Sequence, residues 1–186
     1  MANHEELFEA IPKPESGSVL YLPQEIILPP EELMPLLKKP FLEMARMVAG
    51  QEARSYRGFN VGAVVLSSFG NGAAYGFAFG ANRKPGPNAG RVCAEQLGIA
   101  WSLNPGLDQP KPDRILAFYV WGEPQPDRVS GKLAPTLHPC GDCRTMFELL
   151  PEITDDTMIF TAGPDGQTEE FSVRELIDFH KNDIAS

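Results

Sequence analysis

Basic charge is in short supply in this sequence. Lys and Arg number 16 against 25 Asp and Glu, for a net charge of −9. Nucleic-acid affinity comes largely from phosphate neutralisation by Lys and Arg, so the deficit argues against a nucleic-acid partner. No basic stripe offsets it locally, since the longest basic pairs are Lys38-Lys39 and Arg83-Lys84. Long apolar runs are also missing. No stretch approaches the roughly 20 residues of a membrane helix, which argues against a membrane partner. Met1 to Glu9 is polar and acidic, without the basic and apolar regions of a secretory signal. Cysteine is scarce, at 3 residues. An odd, small number argues against a disulfide framework and for a reducing, cytoplasmic setting that keeps thiols available as ligands. A small, neutral or cationic substrate suits this composition better than a polyanion.

What is present suits one globular domain. A chain of 186 residues with 42% apolar content can bury a proper core. Residues 1–39 read as an extension broken by Pro12, Pro14, Pro23, Pro29, Pro30 and Pro35. Two apolar stretches, Val19 to Leu22 and Ile26 to Leu28, read as arms that pack on the domain or on a neighbouring subunit. Residues 40–186 read as the folded domain. Phe41, Met44, Ala45 and Val48 recur at helical spacing, with Pro40 suited to a first turn, so a helix is predicted over 40–54. Phe59 to Leu66 is strand-like. Phe69-Gly70-Asn71-Gly72 supplies turn chemistry, and Tyr75, Phe77 and Phe79 alternate as a second strand with a core-facing aromatic side. A helix is predicted from Cys93 to Asn104, a buried strand from Ile115 to Trp121, a helix from Cys140 to before Pro151, and a strand from Met158 to Ala162. Ser172 and Glu175 form a capping box, opening a last helix that runs to about Lys181. Strands alternating with helices imply an α/β sandwich with a mixed sheet covered on both sides.

The three cysteines fall into two short motifs: Cys93-Ala94-Glu95 and Pro139-Cys140-Gly141-Asp142-Cys143. Three soft ligands suit Zn2+ and leave a fourth coordination position open. An acid two residues past the first ligand is placed to move protons without binding the metal. Both motifs sit at predicted helix N-termini, whose partial positive charge offsets the burden of three thiolates. Arg144 is a further candidate donor to the sulfurs. Together these features point to a hydrolytic deaminase of an aminated heterocycle, with Glu95 as general acid and base. Two other readings stand beside it. Cys140 and Cys143 alone fit a redox pair. His138 could close the site as a fourth ligand and leave a structural, non-catalytic zinc.

These residues resemble the cytidine deaminase family, blasticidin S deaminases included. The resemblance runs over about residues 40–180 in motif order, from Phe59-Asn60-Val61-Gly62-Ala63 through Asn82 to the two cysteine motifs. It implies a three-layer α/β/α sandwich around a five-stranded mixed sheet. It implies Zn2+ on Cys93, Cys140 and Cys143, with Glu95 as the catalytic residue. Phe59 would line the base pocket, Asn82 would bind ribose, the N–H of Ala94 would meet the ring carbonyl, and the carbonyl of Pro139 would hold the leaving amine. It also implies a homo-oligomer, with a tetramer favoured over a dimer. The sequence departs from the family at Lys84, where a glutamate is usual. A carboxylate accepts hydrogen bonds from sugar hydroxyls, whereas an ammonium only donates. Gln96 stands where an arginine often follows Cys-Ala-Glu, and the loop Pro85 to Gly90 does not match the usual segment. The substrate is therefore expected to be either a cytosine nucleoside or a heterocycle recognised without ribose, such as blasticidin S. Arg83, Lys84 and Arg91 are candidate contacts to an anionic substituent, or else a solvated basic loop.

Overall fold

The computed structural model describes residues 19–23, 28–86, 90–106, 109–126, 131 and 133–181. His4, Pro12, Pro14, Ile26, Ile27 and the loop residues Pro87 to Ala89 lie outside the described residues. A six-stranded mixed sheet forms the centre, in the order β1-β4-β3-β6-β7-β8. Its strands are β1 (Leu20–Tyr21), β3 (Val61–Phe69), β4 (Ala74–Ala81), β6 (Arg114–Gly122), β7 (Met158–Ala162) and β8 (Thr168–Ser172). Only β6 and β7 pair in parallel. Two short strands, β2 (Arg54–Ser55) and β5 (Arg83–Lys84), form a separate parallel pair. Helix α1 (Pro30–Glu52) covers one face. Helices α2 (Ala94–Leu103), α3 (Gly141–Leu149) and α4 (Val173–Lys181) cover the other.

The sandwich is three-layered as expected, but its sheet has six strands rather than five. The additional edge strand is β1, which pairs antiparallel to β4 through Leu20↔Phe77 and Tyr21↔Gly76. The arm at Val19 to Leu22 therefore caps an open sheet edge, the part of a sheet that most needs covering. The first helix also starts earlier than predicted, at Pro30 rather than Pro40, with Pro35 and Pro40 inside it. Each proline removes one helical hydrogen bond. The helix persists because Leu33, Leu37 and Phe41, four residues apart, are all fully buried against the sheet. The hydroxyl of Tyr119 also donates to the carbonyl of Met34 at 3.0 Å, fixing the helix to β6.

Other expectations hold. Gly70, Asn71 and Gly72 all take positive φ in the β3–β4 turn. Tyr75, Phe77 and Phe79 are buried in the core under α1. The N–H of Ser172 donates to Glu175 Oε2 at 2.7 Å, and the N–H of Glu175 donates to Ser172 Oγ at 3.2 Å, completing the capping box.

Two glycines set how closely the helices approach. A Cβ on Gly62 would lie 2.0 Å from the carbonyl oxygen of Ala45 in α1, and one on Gly80 would lie 1.8 Å from that of Ala94 in α2. The second contact seats the first turn of α2, next to Cys93, directly on β4. Gly80→Ala should therefore displace that turn. The expected outcome is a loss of about 1–3 kcal/mol of stability together with weakened metal retention, read by thermal unfolding and metal analysis. Gly50→Ala, on α1 with open space around its added methyl, should instead raise stability slightly, as alanine does in a helix.

Candidate metal centre and active site

Strands β4 and β6 both flank β3 in antiparallel fashion, so they run parallel to each other and end at the same sheet edge. Val61 faces Gly122 there, and Gly62 faces Ala81. Helix α2 begins after β4 and β5, and α3 begins after β6. Both N-termini thus meet over the start of β3. Cys93 is the N-cap of α2, Cys140 is the N-cap of α3, and Cys143 is the third residue of α3.

The sulfurs converge. Cys93 Sγ lies 3.4 Å from Cys140 Sγ, and Cys140 Sγ lies 3.6 Å from Cys143 Sγ. All three lie within 4.8 Å of one another. Thiolates arranged tetrahedrally about 2.3 Å from zinc stand about 3.8 Å apart, so this donor set fits Zn2+. Among the described residues this is the one group of three or more Cys, His, Asp or Glu side chains able to hold a metal.

The helix ends bear on the charge. Hydrogen bonds from Cys143 and Cys93, followed by the backbone N–H groups of Cys143 and Asp142, pull the Cys140 thiol well below the ordinary thiol range. Hydrogen bonding to Cys140 and burial hold Cys93 up at about 12, and the same causes push Cys143 up. A cation is therefore needed before all three sulfurs ionise. Gln96 contributes at the first ligand. Its backbone N–H donates to the Cys93 sulfur, and its Oε1 accepts from the Cys93 N–H at 3.0 Å. The residue standing where an arginine is usual thus closes a capping box. The spacing of Cys93 and Gln96 carried that signal.

Glu95 sits in the first turn of α2 and is only 4% exposed. Burial, then the nearby Cys140 thiolate, raises its carboxyl to about 7, while Lys84 pulls the other way. Ala94, also fully buried, is the first residue of α2, where a backbone N–H has no partner within its helix. Arg144 is buried, and its Nη1 donates to the carbonyl of Pro139 at 2.8 Å. That bond goes to the loop ahead of Cys140, not to a sulfur.

Phe59 is half-buried and packs on the core beneath the site. The ammonium of Lys84 lies 5.0 Å from its ring centroid. Asn82, 1% exposed, clamps the sheet edge. Its Oδ1 accepts from the N–H of Val61 at 2.9 Å, and its Nδ2 donates to the carbonyl of Phe59 at 2.7 Å. Both polar ends of the side chain are thus engaged in placing Phe59. The ring of His138 belongs to a separate network. Its Nδ1 lies 3.3 Å from His180 Nε2, and its Nε2 lies 3.3 Å from Glu169 Oε2. It is not part of the metal cluster.

The family profile described as the cytidine and deoxycytidylate deaminase zinc-binding region matches residues 37–161. The chain belongs to this family. The fold agrees. The cytidine deaminase from Burkholderia pseudomallei aligns at a TM-score of 0.54 with 20% identity, over 74% of this chain and 94% of that one. A mutant form of the cytidine deaminase from Mycobacterium tuberculosis aligns at a TM-score of 0.50 with 22% identity, over 74% of this chain and 89% of that one. A search of curated protein sequences gave no match. The family and the donor set agree on Zn2+ at Cys93, Cys140 and Cys143.

Two predictions follow from this geometry. Cys143→Ser should lower bound zinc well below one equivalent, whereas Glu95→Gln should retain it, as read by metal analysis after gel filtration. The second concerns the metal-free protein. A raised carboxyl binds its proton more tightly in the folded state, so the stability that Glu95 contributes is fully present below the ordinary glutamate range and is lost as pH rises through about 7. Glu95→Gln removes that loss. It should raise the melting temperature of the metal-free protein clearly at pH 8 and little at pH 5. An equal change at both pH values would contradict the assignment.

Proposed function

We propose that this chain is a zinc-dependent hydrolase that deaminates an aminated heterocycle, first among them a cytosine nucleoside, to the oxo form with release of ammonia. One observation carries the reading: a nearly fully buried carboxylate, Glu95, held beside a three-cysteine cluster that leaves a fourth metal position for water. Bound zinc would supply the Lewis acidity that makes water a nucleophile near neutral pH.

The chain's own residues do the rest. Glu95, buried beside the cluster with its carboxyl raised in the metal-free protein, is suited to take a proton as the ring carbon is attacked. It then hands that proton to the ring nitrogen and assists the departing amine. The N–H of Ala94, in the first turn of α2, would donate to the ring carbonyl. The carbonyl of Pro139, held by Arg144, has a second lone pair for the leaving amino group. Phe59 supplies a flat apolar wall for the base.

Residues 40–186 carry the chemistry in this proposal. Residues 1–39 form the extension that contributes β1 and the first turns of α1. A homo-oligomer, with a tetramer favoured over a dimer, is part of the reading, as the family resemblance implies. A cytoplasmic location goes with the reduced thiols. No described helix is long and apolar enough to cross a membrane.

A second reading, a heterocycle recognised without ribose such as blasticidin S, is favoured by Asn82, which is 1% exposed and bonds through Oδ1 and Nδ2 to the backbone of Val61 and Phe59, and by Lys84. The closed, non-catalytic zinc site is disfavoured by His138, whose two ring nitrogens face His180 and Glu169.

The test is ammonia release by zinc-loaded protein from cytidine, deoxycytidine, cytosine and blasticidin S. Turnover of at least one compound should fall by about 10²-fold or more in Glu95→Gln at unchanged zinc content. Turnover that survives Glu95→Gln would remove Glu95 from the chemistry.

A further inference from the structure

We infer that the substrate of this site carries an oxyanion, a carboxylate or a phosphate, on its ring substituent, and that Lys84 is the residue that selects it. The inference rests on the deaminase reading above and deepens it.

The placement of Lys84 is built into the fold. β5 is pinned from both sides. Ser55 pairs with Lys84 in register, and the N–H of Tyr56 donates to the Lys84 carbonyl at 3.0 Å. On the other side, Arg83 and Val92 exchange hydrogen bonds at 2.9 and 3.0 Å, which ties β5 to the residue just before Cys93. The backbone of Lys84 is therefore fixed relative to the first metal ligand. Lys84 is half-buried, and its ammonium stands 5.0 Å from the ring centroid of Phe59, the wall proposed for the base.

Two neighbouring cations have partners. Arg83 pairs with Glu52 at 3.4 Å. Arg54 donates to the carbonyls of Gln51 and Ala53 at 3.0 and 2.9 Å. Elsewhere Lys38 meets Glu170, and Lys181 meets Glu148. Lys84 has no carboxylate within ion-pair distance among the described residues, in a chain where acids outnumber bases 25 to 16. An ammonium without a carboxylate partner at the rim of a substrate site wants an anionic acceptor, and a charged acceptor is worth about tenfold or more over a neutral one.

The test uses zinc-loaded protein and matched probes. The first pair is 1-(carboxymethyl)cytosine and its neutral amide. The second is cytidine 5′-monophosphate and cytidine. Relative kcat/KM comes from ammonia release. Relative Kd for the corresponding uracil products comes from calorimetry. In the wild type at least one anionic probe should exceed its neutral partner by about tenfold or more by both readouts. The pair with the larger gap tells whether carboxylate or phosphate is preferred. Lys84→Gln should bring that ratio close to unity, and Lys84→Glu should invert it. Lys111→Gln, a control at an exposed position remote in sequence from the site, should leave the ratio unchanged.

A wild-type preference for the neutral probes overturns the inference. So does a ratio unmoved by Lys84→Gln, or an equal loss for both members of a pair, which would mean that Lys84 acts through Glu95 or the metal. The two proposals fail separately. Ammonia that depends on Glu95 upholds the deaminase whatever the ratio. If no probe releases ammonia, product binding still decides for or against the oxyanion site.

Discussion

Repulsion between three sulfurs packed within 4.8 Å of one another is the constraint around which this fold is arranged. No sequence can simply gather three thiolates in a half-buried pocket, because burial and mutual charge both oppose ionisation. The solution here is topological. Strands β4 and β6 flank β3 and end at the same edge, so the helices that follow them deliver two N-termini to one place. Each N-terminus brings unpaired N–H groups and a partial positive charge. Hydrogen bonding to the neighbouring sulfurs, and then to the N–H groups of Cys143 and Asp142, favours the thiolate form of Cys140. A divalent cation then completes the neutralisation. Close packing of α2 on Gly80 keeps the two helix ends from drifting apart.

The same arrangement accounts for Glu95. A carboxylate in the first turn of a helix is ordinarily held in its charged form by the dipole. Burial and the thiolate of Cys140 outweigh that here and hold the group at about 7. A carboxyl poised near neutrality can both take and give a proton, and a carboxylate at the ordinary glutamate value could only do so poorly. The destabilising environment and the chemistry are two aspects of one placement, as is common where a fold stores an unfavourable group at its site.

The chemistry was more legible in the sequence than the architecture around it. Cys93, Glu95, Cys140 and Cys143 could be read as one site because local spacing fixes their helical positions. Helices α2 and α3 carried their own start and stop signals. The early start of α1 was hidden by Pro30, Pro35 and Pro40, since local propensity opposes a helix there and only the burial of Leu33 and Leu37 against a distant sheet restores it. β1 and β2 are two residues long and exist only because β4 and β5 accept them. β8, Thr168-Glu169-Glu170-Phe171-Ser172, is too acidic to read as a strand, yet Glu169 serves it. That side chain accepts from the N–H and hydroxyl of Thr136 at 2.9 and 2.5 Å. Asn82 was read for its family position, but its bonds to Val61 and Phe59 depend on β3 and β4 meeting, which no local pattern encodes.

The account turns on an open three-sulfur site, with His138 engaged elsewhere. Zinc K-edge X-ray absorption on the zinc-loaded protein tests that most directly. Three sulfur neighbours at about 2.3 Å and one oxygen neighbour, without imidazole scattering, are the expected result. An imidazole signal that disappears in His138→Gln would show the site closed by a fourth protein ligand and would contradict the account.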